Sequence, residues 1–385
     1  MFSLILIIYL SFISLGLPDS LLGSGWPSMY SDFHSTLSAA GTVSMIISIG
    51  TVISSLNAVR LIQRFSTAKV TLYSVLMTAL ALWGFSFCRE FWQLCLMAVP
   101  YGLGAGAIDS ALNNYVALHL KARHMSWLHC MWGIGASIGP YVMGFCLTHR
   151  LGWQMGYRTI GTIQALLALI LLFTLSLWKK DAKADEEQKN VLSLREALRI
   201  PGVLQIVICF FAYCALESSA SLWASSWMHG YKGVPAEEAA SYAGLFYLGM
   251  TSGRAVSGFF SEKAGDSRMI RFGCMIICLG LAMILFGKGI FLFAGLFVIG
   301  LGCAPVYPSV VHSTPARFGR ENSQSLVGIQ MASAYVGTTL TPKLFGALSD
   351  LFGISVYPYF LFVLLLLTVI MHERTEHKTK ETAVR

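Results

Sequence analysis

Three carboxylates lie inside long apolar runs, where an ionisable group is costly. Asp109 lies in GLGAGAIDSALNNY, Asp19 in GLPDSLLGSGWP and Glu217 in YCALESSASLWASSW. A charge at the centre of a bilayer costs about 2.5–3.5 kcal/mol on insertion scales, so such a group marks a cavity or an internal pair. Asn113 follows Asp109 at i+4 and shares its helix face, with Asn114 one step round. Asp109 reads either as a protonatable, solute-binding carboxylate or as a hydrogen-bond acceptor between helices. Pro18 removes one helix hydrogen bond beside Asp19. At 1.5 Å per residue Asp19 sits roughly 24 Å along its helix. It reads as a second coupling carboxylate or as a hydrated residue near one mouth, and Trp26 in the same run is a candidate solute contact. Glu217 is followed by Ser221 at i+4, and Trp223 and Trp227 share a face. An acid beside hydroxyls and indoles suits polyhydroxylated or cationic solutes. The bland alternative is a hydrogen bond to a neighbouring helix.

Further candidates carry weaker signals. His129 and Trp132 share a face in LHCMWGIGASIGP, and a lone histidine reads first as a structural residue. Tyr307 between Pro305 and Pro308, then Gln330 and Tyr335, are candidate cavity-wall residues. Arg254, in GMTSGRAVSG, is expected to pair with a carboxylate or a helix end. Lys343 is expected to snorkel towards an interface.

The elements that must position these groups follow from composition. Of 385 residues 55% are hydrophobic and only 12% are Asp, Glu, Lys or Arg. A soluble domain carries roughly 25% charged residues. Mean hydropathy is +0.65. Apolar runs fall near 3–28, 37–59, 70–88, 92–118, 127–148, 159–178, 203–229, 241–261, 269–287, 290–313, 324–347 and 352–371. Lipid offers the backbone no hydrogen-bond partner, so each run must be a helix. The expected fold is an all-α polytopic membrane protein of twelve transmembrane helices in two six-helix bundles. The expected division is 1–178, a charged linker 179–202, 203–371, and a tail 372–385. Residues 1–17 carry no positive charge and no cleavage site precedes Asp19, so the first run reads as a retained span.

The net charge of +8 does not point to nucleic acid, because the basic residues fall in short connections. Twenty of the 27 Lys and Arg residues lie on the side that holds both termini, and five lie opposite. That asymmetry predicts cytoplasmic termini in a bacterial inner (plasma) membrane. Gly50 and Gly249, Gly102 and Gly300, Gly104 and Gly302, and Gly139 and Gly337 are separated by 198 or 199 residues. A shared offset points to a duplicated half, with a solute site between the halves near the midplane.

No P-loop, zinc-ligand spacing or nucleophile elbow is present, and GLGAGAI has no phosphate-binding context. No enzyme, cofactor or metal is expected. The nine cysteines are scattered singly and read as small apolar packing residues.

The chain resembles the fucose–galactose–proton symporter branch of the major facilitator superfamily and its glucose-carrying relatives. The carriers are Asp109 with Asn113 in the fourth span and Asp19 in the first. The resemblance implies that both carboxylates take part in proton coupling and sugar binding. Where the fucose carrier presents two amides in its fifth span, this sequence has His129 and Trp132. GLGCAPVYPS in the tenth span looks like carriers of this broad group. The expected function is alternating-access uptake of a small polar solute, such as a sugar, with protons. Sodium ions are the alternative coupling ion, and Asp19, Asp109 and Glu217 are the coupling candidates. The expected working unit is a monomer in the lipid bilayer. The competing reading is a proton-driven exporter of amphipathic or cationic drugs.

Overall fold

The computed structural model describes residues 2–119, 122–178, 194–287 and 289–384, which hold helices, turns and no strand. The element α1 is broken into Phe2–Asp19 and Leu21–Asp32. It is followed by α2 (Ala39–Phe65), α3 (Thr67–Phe87), α4 (Phe91–His119), α5 (Ala122–Thr148) and α6 (Trp153–Phe173). The second set is α7 (Val203–Lys232), α8 (Ala236–Ala264), α9 (Asp266–Phe286), α10, broken into Ile290–Cys303 and Val306–His312, α11 (Arg320–Phe352) and α12 (Tyr357–Val384). Most of the expected linker lies outside the described residues, although Leu194–Ala197 forms one short helical turn.

One neighbour scheme occurs twice. In the first half α1 packs on α5, α2 on α4, and α3 on α4 and α6. In the second, α7 packs on α11, α8 on α10, and α9 on α10 and α12. The paired glycines explain the match. A Cβ on Gly102 would lie 2.2 Å from the Ile47 carbonyl oxygen, and one on Gly300 would lie 1.9 Å from that of Phe246. Ile47 and Phe246 are themselves 199 residues apart, so each half brings two backbones together at the same place. Gly102→Val is expected to cost about 1–3 kcal/mol of overpacking. It should lower the thermal midpoint in detergent by several degrees, and an unchanged midpoint would contradict this contact.

Ten of the expected spans are long and apolar enough to cross a membrane among the described residues, and α8 and α11 are not among those ten. Both are as long as the others, but they are rich in Ser, Thr and Gly and carry Arg254 and Lys343. Both also pack across the halves, α8 on α5 and α11 on α2. Helices shielded from lipid by protein need not be apolar all round.

The halves meet on the face opposite the termini. There Ser225 Oγ donates to the Ser24 carbonyl at 3.2 Å, and Lys343 Nζ donates to Thr42 Oγ1 at 2.7 Å. Lys343 therefore ties α11 to α2. At the termini face, α12 continues through 372–384. Arg271 holds Glu373 at 2.6 Å and 2.8 Å, and Arg317 holds Glu376 at 2.6 Å.

Candidate functional site

Two proline-marked breaks shape the centre. Pro18 has no N–H to offer the Ser14 carbonyl, four residues back. Gln164 of α6 supplies the missing donor: its Nε2 reaches Ser14 O at 2.7 Å, while its Oε1 accepts from Thr78 Oγ1 at 2.7 Å. In α10 the break between Cys303 and Val306 frees the Cys303 carbonyl, and Tyr213 OH donates to it at 2.7 Å. Within a bilayer such freed groups must find protein partners, and both do.

The break in α1 leaves Asp19 at the end of the first segment, pointing into the space between the halves. Tyr101 OH of α4 donates to Oδ1 at 2.8 Å, and Trp132 Nε1 of α5 donates to Oδ2 at 2.8 Å. Three helices thus meet on one carboxylate, which stays exposed although it lies deep in the molecule. The Trp132 ring makes an edge contact with Tyr247 of α8 at 6.2 Å between centroids. Tyr247 in turn lies against Ser221 of α7. The chain from Asp19 through Trp132 and Tyr247 to Ser221 crosses from one half to the other.

The other two acids face the same region. Asp109 takes one donor from its own helix, Asn113 Nδ2 at 3.0 Å. It lies within electrostatic range of Asp19, and of Tyr307 and Tyr335 of the opposite half. Glu217 is half-buried and shares the single proton of Tyr213 OH, one helical turn back, with the Cys303 carbonyl. It lies within electrostatic range of Tyr247 and Tyr307. Three acids and a ring of phenols therefore surround one central space.

The remaining candidates fall elsewhere. Trp26 and Trp223 are 0% exposed, and their indoles donate to the carbonyls of Leu37 at 2.8 Å and Pro342 at 3.1 Å. A solute cannot touch either ring in this conformation. Gln330 is 1% exposed and accepts from Thr314 Oγ1 at 3.0 Å, which makes it a brace between the end of α10 and α11. His129 is half-buried with its ring edge-on to Phe12 at 6.1 Å. Tyr307 is half-buried, with its OH on Met331 Sδ at 3.1 Å. The side chain of Asn114 lies outside the described residues.

One of the two partners expected for Arg254, a carboxylate, is not found among the described residues. The Arg254 guanidinium instead lies 5.4 Å over the Trp132 ring. The ring face offered by the opposite half attracts a cation, and no acid among the described residues pairs with it. Sequence reasoning also missed Tyr101, Tyr213 and Tyr247. Tyr213 was legible, since it precedes Glu217 by four residues on one helix face. Tyr101 and Tyr247 join Asp19 only through packing of separate helices.

The comparisons with known proteins agree with this architecture. The family model of the Major Facilitator Superfamily matches residues 8–290 and, in a second alignment, 206–384. The glucose/mannose transporter GlcP of Bacillus subtilis (strain 168) is 23% identical over 312 residues, covering 78% of this chain and 77% of that protein. The solved nucleoside transporter NupG superposes with a TM-score of 0.75 at 15% identity, covering 97% of this chain and 98% of that one. The transporter FucP, solved in the outward conformation, gives a TM-score of 0.65 at 14% identity with the same coverage. With two alike helical halves around a polar centre and a family match over most of its length, the chain belongs to the Major Facilitator Superfamily of membrane transporters.

Proposed function

We propose that this transporter takes up a small polar solute, such as a sugar, together with protons. The observation that carries the reading is Asp19. It is a solvent-accessible carboxylate at membrane depth, aimed by donors from two other helices and next to a second acid, Asp109. Acids at membrane depth mark proton and solute paths. The solute's hydroxyls would donate to Asp19 and Glu217. A proton on Asp109 would remove the repulsion between the two acids and let the loaded carrier rock. The moving bodies are residues 1–178 and 203–371, linked through 179–202, and one chain is the working unit.

The excess of basic residues at the face of the termini supports cytoplasmic termini in a bacterial inner membrane. In that orientation the face closed by Ser225 and Lys343 is the outer one. The GlcP likeness supports a sugar, as far as 23% identity goes.

The acids and aromatic rings also suit a cationic solute, which is the exporter reading. Arg254 speaks against it, since a guanidinium already occupies the Trp132 face.

The test is proton flux in proteoliposomes with an entrapped pH dye. Adding hexoses and pentoses outside is expected to acidify the lumen for at least one sugar, in sodium-free buffer. Silence for every sugar, with lumenal alkalinisation as a cationic dye enters an acid-loaded lumen, would favour export. A response that requires sodium would replace the proton as the coupling ion.

A further inference from the structure

We propose that the solute carries a carboxylate as well as hydroxyls, and that Arg254 receives that carboxylate. The inference rests on the transport reading above and narrows its substrate class to sugar acids and similar hydroxy acids.

Arg254 lies 18 residues into α8, roughly 27 Å along it at 1.5 Å per residue. It is half-buried, its guanidinium lies 5.4 Å over the Trp132 ring, and no carboxylate among the described residues pairs with it. Two other arginines of this half show the contrast, because Arg271 and Arg317 each hold a glutamate at 2.6 Å. A guanidinium has five N–H donors in a flat fork. At membrane depth those donors need an acceptor, and none is supplied among the described residues. The fork matches a carboxylate through two parallel hydrogen bonds, which a lysine ammonium cannot copy.

Trp132 fixes the spacing of a two-ended site. Its ring face carries Arg254, and its Nε1 edge carries Asp19. Around Asp19 are Tyr101, Tyr247 and Ser221, all hydroxyl groups. A solute with hydroxyls at one end and a carboxylate at the other satisfies both ends. A neutral hexose leaves the guanidinium unpaired, and an amino sugar places an ammonium against it. The proton also gains a second purpose: neutralising Asp109 lowers the repulsion that a carboxylate solute meets on entering.

The discriminating probes share one ring: glucuronate, glucose and glucosamine, bound to the full chain in nanodiscs. Glucuronate is expected to bind at least about tenfold more tightly than the other two. A charge-assisted pair is worth about 1.5–3 kcal/mol, so Arg254→Gln should weaken glucuronate by about 10- to 100-fold and leave glucose unchanged. Arg254→Lys keeps the charge and loses the fork, and an intermediate loss confined to glucuronate is expected. Equal losses for glucose and glucuronate in either variant would overturn the proposal, since Arg254 would then be holding Trp132 rather than solute. Glucose or glucosamine binding as tightly as glucuronate would overturn it too, as would no binding of glucuronate, gluconate or lactate. Proton flux separates the two readings. Glucose moving with protons while glucuronate stays out defeats the Arg254 proposal alone. Glucuronate moving without protons defeats proton coupling alone.

Discussion

Asp109→Asn is expected to abolish concentrative uptake and to leave exchange intact. The asparagine imitates a carboxyl that never releases its proton, so the loaded carrier rocks in both directions with no proton to pull it. A pH gradient of one unit at zero potential is worth about 1.4 kcal/mol per proton, enough to hold a tenfold solute gradient. Uptake into vesicles should show that ratio in the wild type and a ratio near one in the variant, with counterflow unchanged. Full accumulation by the variant would remove Asp109 from coupling. Asp19→Asn should behave differently. Asp19 Oδ1 and Oδ2 each accept a hydrogen bond, from Tyr101 and Trp132. An asparagine presents one acceptor and one NH2 group, so one of these two donors is left facing another donor. Counterflow should fall along with accumulation, because the site itself is lost. The geometry separates the roles: Asp109 is held within its own helix, and Asp19 is held by two others.

The second large effect concerns the closed face. A Cβ on Gly41 of α2 would lie 2.7 Å from the Lys343 Cα of α11. One on Gly23 of α1 would lie 2.8 Å from the Leu222 carbonyl of α7, and one on Gly144 of α5 would lie 1.9 Å from Ser241 Oγ of α8. These contacts join different halves, so a side chain there can be accommodated by opening the face rather than by unfolding. Gly41→Val combined with Gly23→Val is expected to move most of the population to the state open at this face. The cost to the closed state is about 1–3 kcal/mol per site from overpacking. That shifts an even equilibrium by roughly tenfold or more. Spin labels at Ser35→Cys and Val234→Cys in a cysteine-free background would show a longer distance. An unchanged distance distribution would mean that the glycines do not govern closure. Gly102→Val serves as the contrast, since its clash with Ile47 lies within one half and no rocking relieves it.

The sequence alone determined the class of protein. Charged residues are too few for a water-soluble surface, and backbone in lipid must be helical. The helix count, the duplicated halves and the membrane depth of Asp19, Asp109 and Glu217 follow from hydropathy, glycine spacing and helical rise. Long-range pairing is not encoded in any local pattern, so the tertiary structure decided the rest. It brought Tyr101 and Trp132 to Asp19 across 82 and 113 residues of chain. It sealed Trp26 and Trp223, whose indoles satisfy backbone carbonyls instead of meeting solute. It also set Arg254 on an aromatic face of the other half, where the span by itself suggests an ion pair. Helical period fixes which residues share a face. Which face meets which neighbour depends on how the whole bundle closes, and that choice placed the carboxylates and the arginine around one space.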